Sequence, residues 1–309
     1  MKLLDKLFSM YQPPKVEGKG FILALGGGGG RGLAHLGVLD VLEEHKLRPD
    51  AIVGSSIGAL FGAMYAIEPD AKKVIKHAIS ILSSQAFSRL GLPNIKDADV
   101  QDTSWLSRLT AAARQSILYT RAATDRSVAD TGALIEVAET FCGGESFSDA
   151  KIPLYITAVH FPSGECHLFS LDNDVKLAWA IAASMAIPGV FDPVLVAGEK
   201  FVDGGVAAEL PAKEAKMVAK ANELVLAVNV GARPRPDVEP TNVYGMLDWA
   251  TQIKALYLRR SKREFCDVLI EPLVGYTQWH DFTNPEQEIQ KGRDAALEKM
   301  PELIAKLAA

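Results

Sequence analysis

The chain has 309 residues, of which 48% are hydrophobic and 23% are charged, and its formal net charge is −5. Such a chain is typical of one large globular domain, or of one domain with a helical appendage. The acidic balance argues against nucleic acid as a general partner, because phosphate binding needs a net basic face. The three cysteines show no C-x-x-C spacing, so we expect neither disulfides nor zinc, and a reducing compartment such as the cytoplasm.

The first segment, residues 1–19, has an amphipathic helical pattern. Charged residues interrupt its apolar core, so no signal peptide is expected, and nowhere does an apolar run reach the roughly 18 residues of a membrane span. Two interpretations stay open: the segment docks on its own domain or on the partner subunit of a homo-oligomer, or it contacts a membrane surface. Its apolar face carries Leu3, Leu4, Leu7, Phe8 and Tyr11.

A glycine-rich turn, residues 26–32, follows the apolar strand pattern of residues 21–25 and precedes a helical pattern. Backbone amides at such a helix start favour an anion or a developing oxyanion. A Rossmann dinucleotide site fits poorly, because Asp50 lies at the start of the next strand and not at its end. A phosphate-binding P-loop fits poorly as well, because Leu33 stands where lysine is required.

A second turn, Gly54-Ser55-Ser56-Ile57-Gly58, fits the G-x-S-x-G pattern. It follows a short strand, residues 51–53, and it precedes a predicted helix that ends at Glu68. Ser56 takes the nucleophile position of this elbow, with Gly54 and Gly58 allowing the sharp bend. A nucleophile beside an amide-rich turn indicates acyl transfer.

Residues 70–150 are largely helical in pattern, including one apolar helix face between Trp105 and Ile117. We expect this stretch to be either a lid over an acyl-chain groove or an ordinary covering layer. Residues 97–103 and 121–130 are polar and are candidate hinges.

Residues 153–170 predict a hairpin, with His160 and His167 flanking its turn. No further ligand stands at a suitable spacing, so solvated histidines are favoured over a metal site. A helix follows over residues 179–186. A second hairpin, residues 194–202, closes on Asp203-Gly204-Gly205, which alone would be read as a turn.

The glycine loop, the serine elbow and the Asp-Gly-Gly triplet, in this order, resemble the patatin-like phospholipase family. The resemblance covers about residues 20–232 and includes the segment Ala183–Phe191. It implies that the glycine loop supplies the oxyanion hole and that Ser56 pairs with Asp203. Glu209 departs from the pattern, since relatives often have Asn or a small polar residue there.

Beyond a proline-rich linker, residues 232–241, the pattern predicts a helix that starts near Val243 and ends in cations. A cationic helix end is usually a solvated face, and attraction to anionic lipid is the alternative. A late edge strand over residues 267–270 and an amphipathic helix over residues 287–307 complete the chain. The cations are Arg259, Arg260, Lys262 and Arg263.

The resemblance assigns the chemistry to a Ser-Asp dyad. Ser56 attacks an ester carbonyl, and Asp203, in a motif completed by Gly204 and Gly205, takes the proton. A free aspartate has a pKa of about 3.9, so the dyad requires partial desolvation of Asp203. No metal or cofactor is needed, and calcium independence follows from the resemblance. The predicted oxyanion donors are the amides of Gly27, Gly28, Gly29 and Gly30, with Arg31 and Gly32 supporting the loop by bonds to neighbouring carbonyls.

The order Ser56, Asp203, His280 also fits the catalytic triad of an α/β-hydrolase. Against a triad, the glycine loop lies only a short distance before the serine, and no strand leads directly into the loop that carries His280. Substitution of His280 by alanine distinguishes the two mechanisms.

We therefore predict an α/β fold with three layers, in which helices cover both faces of a mainly parallel sheet of patatin-like topology. The predicted organisation is an N-terminal segment (residues 1–19), a catalytic domain (20–232) and a C-terminal helical extension packed on it (233–309). The predicted function is hydrolysis of acyl esters of phospholipids or lysophospholipids. The alternative is a catalytically idle lipid-binding or scaffold protein of the same fold.

Overall fold

The computed structural model describes residues 19–90 and 131–309, apart from residues 235 and 238. Its centre is an eight-stranded sheet in the order β5-β6-β3-β2-β1-β7-β8, with β4 paired to β3. The strands are β1 (Phe21–Leu25), β2 (Ala51–Ser55), β3 (Leu154–Phe161), β4 (Cys166–Phe169), β5 (Val194–Val196), β6 (Glu199–Asp203), β7 (Leu224–Val228) and β8 (Val268–Ile270).

Five neighbouring strands, β3, β2, β1, β7 and β8, run parallel. At one side, β4 and β6 pair antiparallel with β3, and β5 pairs antiparallel with β6. Both faces of β1 and β2 are buried, which explains why residues 21–25 and 51–53 are continuously apolar in sequence. The carboxyl ends of β1 and β2 meet at one edge, and the glycine loop and Ser56 follow directly from them.

Ten α-helices lie in the described residues. They are α1 (Ala34–Glu44), α2 (Ile57–Ile67), α3 (Ala71–Leu82), α4 (Gln85–Ser88), α5 (Thr131–Cys142), α6 (Leu177–Met185), α7 (Gly205–Ala208), α8 (Ala212–Val218), α9 (Val243–Lys262) and α10 (Pro285–Ala308). A 3₁₀ turn (Gly29–Leu33) leads into α1.

Helices cover both faces of the sheet. Leu23 of β1 points into the larger core with α1, α2, α6 and α10, while its neighbours Ile22 and Ala24 point to the opposite face, where Ala212 and Ala215 of α8 pack. Alternate residues of one strand thus serve two cores. The predicted α/β fold with three layers and a mainly parallel sheet is confirmed.

The C-terminal part of the chain contributes both a strand and helices. β8 pairs with β7 at the sheet edge, as the sequence predicts. α10 packs along α1 so closely that a Cβ on Gly292 would lie 1.9 Å from the carbonyl oxygen of Ala34. Arg293 bonds Asp40 and Glu44 of α1 across this contact.

Several sequence predictions lie outside the described residues: the amphipathic segment over residues 1–18, the helix between Trp105 and Ile117, and the hinges at 97–103 and 121–130. Within the described ranges, every helix is too short or too polar to cross a membrane.

Candidate active site

Ser56 stands alone between β2 and α2, at a sharp bend of the backbone. Its φ is 53° and its ψ is −123°, which is strained for a residue with a side chain. The flanking glycines permit this bend. A Cβ on Gly54 would lie 2.4 Å from the Cα of Ala59, and one on Gly58 would lie 2.2 Å from the carbonyl oxygen of Leu25. The geometry is that of a nucleophile elbow.

Asp203 is brought to Ser56 by the pairing of β6 with β3. The Ser56 hydroxyl donates a hydrogen bond to Asp203 Oδ2 at 2.6 Å, and both side chains are buried. The second oxygen, Oδ1, accepts the amide of Gly205 at 2.6 Å. Gly204 must be a glycine here, because its Cβ would lie 2.3 Å from the hydroxyl of Thr157. The two residues predicted as a dyad therefore lie in hydrogen-bonding contact.

Burial raises the pKa of Asp203 to about 7. The hydrogen bonds from Ser56 and Gly205 oppose this shift, and the negative charge of Glu209 adds to it. A carboxylate with such a pKa is a far better base near neutrality than a free aspartate. Asp203 is therefore suited to accept the proton of the serine hydroxyl.

The glycine loop lies against Ser56, but not all of its amides are free. Gly27 donates to the carbonyl of Glu209 at 2.8 Å, and Gly30 donates to the carbonyl of Trp279 at 2.6 Å. Among the described residues, no backbone carbonyl accepts the amides of Gly28 and Gly29. Two of the four amides predicted as oxyanion donors, those of Gly27 and Gly30, therefore already bond other parts of the chain and hold the loop in place.

Arg31 supports the loop, though not through neighbouring carbonyls. Its Nε donates to the carbonyl of Val230 at 3.0 Å, and its Nη1 donates to the carbonyl of Thr277 at 2.9 Å. Both acceptors lie far along the chain, so Arg31 ties the loop to the segment after β7 and to the segment before α10. Burial lowers the pKa of Arg31 to about 10, which leaves it charged at neutral pH.

The sequence assigns no role to two supporting residues, although one of them, Ser184, lies in the segment Ala183–Phe191 of the family resemblance. His35 Nε2 bonds the carbonyl of Gly26 at 2.8 Å, and burial lowers the pKa of His35 to about 4, so the ring is neutral and donates. Ser184 of α6 accepts the amide of Ser56 on its hydroxyl at 2.8 Å, while its own carbonyl accepts the amide of Gly204 at 3.1 Å. Ser184 thus links the elbow to the Asp-Gly-Gly segment.

An apolar pocket opens onto Ser56 and Gly29. Its walls come from α2, α3, α5 and the segments after α6 and before α10. Two aromatic pairs stiffen it: Phe61 meets Phe141 at 6.4 Å between ring centroids, and Phe87 meets Phe282 at 5.0 Å. The other lining residues are Ile57, Leu60, Leu82, Leu90, Leu134, Val137, Met185, Ile187, Phe191 and Trp279. Such a lining suits a hydrocarbon chain.

The cationic end of α9 is only partly the solvated face that its sequence suggests, because Arg260 and Arg263 are exposed whereas Arg259 is buried. Arg259 is only 2% exposed and bonds Glu209 Oε2 at 2.5 Å. Arg263 forms an ion pair with Glu271, and Lys262 Nζ lies 3.9 Å from Glu214 Oε1. The prediction is wrong for Arg259, because a carboxylate from a distant segment faces it.

The other candidate groups lie elsewhere or have other partners. His280 packs edge-on against Trp279 at 5.3 Å, and among the described residues Ser56 Oγ bonds Asp203 and no histidine. His160 bonds Ser163, and Asp50 Oδ2 accepts the amide of Phe21. In the described part of the chain, no group of three or more His, Cys, Asp or Glu side chains is placed to hold a metal ion.

Known proteins are similar in sequence to this chain. A family model described as patatin-like phospholipase matches residues 23–216, a range that contains the glycine loop, Ser56 and Asp203. Lysophospholipase NTE1 from Eremothecium gossypii is 27% identical over 250 residues, which are 75% of this chain and 14% of that protein. Patatin-like phospholipase domain-containing protein 6 from Mus musculus is 26% identical over 225 residues, which are 72% of this chain and 14% of that protein.

Two solved structures are also similar. VipD from Legionella pneumophila aligns with a TM-score of 0.46 and 15% identity, covering 93% of this chain and 67% of that chain. A chain of the SpcU–ExoU complex from Pseudomonas aeruginosa aligns with a TM-score of 0.42 and 16% identity, covering 94% of this chain and 53% of that chain. The matched stretch is a small part of the two curated relatives described above, 14% of each. Because the family model covers more than half of the chain, this protein belongs to the patatin-like phospholipase family.

Proposed function

We propose that this protein is a serine hydrolase that cleaves carboxylic acyl esters of phospholipids or lysophospholipids. The observation that carries the proposal is the 2.6 Å hydrogen bond from the Ser56 hydroxyl to Asp203 at the opening of an apolar pocket. A nucleophile bonded to a base of suitable pKa is the arrangement that acyl transfer needs.

In the first step, Ser56 Oγ forms a bond to the ester carbonyl carbon, and Asp203 Oδ2 takes the hydroxyl proton. The carbonyl oxygen becomes an oxyanion, which the amides of Gly28 and Gly29 stabilise. The bond to the leaving oxygen then breaks, and Asp203 returns the proton to that oxygen. An alcohol departs, and the acyl group remains on Ser56.

In the second step, water attacks the acyl-enzyme while Asp203 takes one of its protons. The tetrahedral intermediate collapses, the carboxylic acid leaves, and the proton passes to Ser56 Oγ. Neither step needs a metal or an organic cofactor. Because the negative charge of Asp203 is present only above its pKa, the reaction depends on ionisation of that group.

The proposed substrate class follows from the pocket and from the family. Aliphatic and aromatic side chains line the pocket next to Ser56, so an acyl chain lies inside it and the polar head group stays outside. Curated relatives are named lysophospholipase and patatin-like phospholipase. A cytoplasmic location with contact to a membrane surface during turnover is part of the proposal.

The test is hydrolysis of p-nitrophenyl butyrate, followed by product analysis on lysophosphatidylcholine and on phospholipid vesicles. We expect wild-type turnover with release of free fatty acid, and none with Ser56→Ala. If the wild-type protein binds these lipids but turns over no ester, it is the idle lipid-binding protein of the alternative hypothesis.

A further inference from the structure

A buried ion pair lies beside the glycine loop and takes no part in the proton transfers proposed above. Arg259 Nη1 donates to Glu209 Oε2 at 2.5 Å, and the two side chains are 2% and 15% exposed. Arg259 also donates through Nη2 to the carbonyl of Ala232. Gly231 leaves room for the guanidinium, since a Cβ there would lie 2.3 Å from Arg259 Cζ. The pair therefore fixes Glu209 from the side of α9.

Glu209 is in turn bonded to the glycine loop through its backbone. Its carbonyl oxygen accepts the amide of Gly27 at 2.8 Å. Gly27 directly precedes the two amides assigned to the oxyanion, and a Cβ at Gly27 would lie 3.3 Å from Ser56 Cβ. The backbone of residue 209 therefore holds the loop at the point that lies nearest to Ser56 and directly before these two amides.

Charged groups from three other elements act on this pair or on its neighbours. Arg31 in the 3₁₀ turn lies within electrostatic range of both Glu209 and Arg259, and Glu288 of α10 acts on Arg31. Asp203 at the end of β6 is influenced by the negative charge of Glu209. Without Arg259, less positive charge would lie near the carboxylate of Glu209. This carboxylate would then turn toward solvent.

We propose that Arg259 is a positioning residue, which holds Glu209 so that its carbonyl keeps the oxyanion loop at its distance from Ser56. This inference rests on the proposed ester hydrolysis for its kinetic consequences. It gives α9 a role in the active site, although most of that helix is exposed. A change at Arg259 acts on the transition state more than on substrate binding, because the loop amides bond the oxyanion.

The experiment compares Arg259→Met, Glu209→Gln and the double variant with wild type on p-nitrophenyl butyrate. The matched control is Arg263→Gln, which removes an exposed ion pair with Glu271 from the end of the same helix region. We expect Arg259→Met to lower kcat about tenfold while KM changes less than about twofold. The double variant recovers most of this loss, since an uncharged residue 209 no longer needs the cation. Arg263→Gln stays near wild type.

Hydrogen exchange of residues 26–32 gives a readout that does not depend on activity. We expect faster exchange in Arg259→Met than in wild type, with recovery in the double variant. If Arg259 only anchored α9, Glu209→Gln would not restore either measurement. Wild-type kcat and exchange in Arg259→Met, or no recovery in the double variant, would overturn the inference.

Thermal unfolding of each variant identifies a failure to fold. In that case Arg259→Gln, which keeps a donor for the Ala232 carbonyl, replaces Arg259→Met, and wild-type kcat and exchange in that variant would overturn the inference. If the wild-type protein hydrolyses no ester, the proposed function fails, and the exchange measurement alone then decides whether Arg259 positions the loop.

Discussion

The hydroxyl of Ser56 and the carboxylate of Asp203, 147 positions apart in the chain, share a 2.6 Å hydrogen bond. Strand β2 delivers one of them and strand β6 the other. The bond is possible because β3 pairs with both strands, parallel to β2 and antiparallel to β6. The central sheet therefore builds the candidate dyad, and the predictions below depend on this relationship.

The activity is expected to rise with pH, with a midpoint near the pKa of Asp203. Burial raises the pKa of this carboxyl to about 7, and only its ionised form accepts the serine proton. kcat/KM on p-nitrophenyl butyrate should therefore fall about tenfold per pH unit below that midpoint. Because the charge of Glu209 adds to the shift, Glu209→Gln should move the acid limb to lower pH. An acid limb near pH 4 in the wild-type protein would contradict the raised pKa of Asp203.

Ionisation of Asp203 is also expected to lower the free energy of unfolding. Its pKa in the folded protein, about 7, lies above the ordinary value of 3.8, so the folded state holds the proton more tightly than the unfolded state does. The free energy of unfolding therefore falls as pH rises between these two values and stays low above them. Asp203→Asn has no carboxyl to ionise at this position and so does not lose stability in this way. The melting temperature of the variant should therefore rise relative to that of wild type as the pH is raised from 5 to 8. Asp172→Asn, at an exposed position, is the control and should show no such gain.

Ser184→Ala should reduce kcat without preventing folding. The substitution removes the acceptor of the Ser56 amide, leaving a buried donor unpaired at a cost of about 1–3 kcal/mol. The strained turn then relaxes and moves the hydroxyl out of line, which lowers kcat about tenfold. Ser170→Ala, which also removes a buried hydroxyl that accepts a backbone amide, serves as the control. Equal kcat values for Ser184→Ala and wild type would show that Ser184 does not position Ser56.

The pocket should select for acyl chain length. Val137 on α5 lines it, and a phenylalanine there fills space that a long chain occupies. Val137→Phe should lower kcat/KM about tenfold or more for long-chain esters and little for butyrate, while overpacking costs about 1–3 kcal/mol of stability. Ile135→Phe, on the same helix but outside the pocket lining, controls for the added bulk. Parallel losses on both chain lengths in Val137→Phe would mean that the acyl chain lies elsewhere.

Residues whose role depends on local pattern could be predicted from the sequence. The elbow at Ser56 follows from a strand, two glycines and a helix within a few residues, and Asp203 follows from a triplet after a strand. The strands, the edge position of β8 and the helices over residues 57–67 and 243–262 also follow from periodicity and turn residues. The family resemblance joined these local signals into one site.

The remaining features depend on contacts between distant segments, which no spacing rule reports. The amides of Gly27 and Gly30 are occupied because Glu209 and Trp279 come to them from far along the chain. Arg259 lies in a row of cations that is typical of a solvated helix end, and only the fold places a carboxylate opposite it. Ser184 lies in the segment of the family resemblance, but only the fold shows that its hydroxyl accepts the amide of Ser56.

The central claim is that Asp203, and no histidine, serves as the base for Ser56. Its most direct test is kcat/KM of Asp203→Asn and His280→Ala, measured beside wild type and Ser56→Ala on p-nitrophenyl butyrate. We predict that Asp203→Asn hydrolyses no more ester than Ser56→Ala does, while His280→Ala hydrolyses the ester at close to the wild-type rate. Loss of activity in His280→Ala with substantial activity left in Asp203→Asn would contradict it.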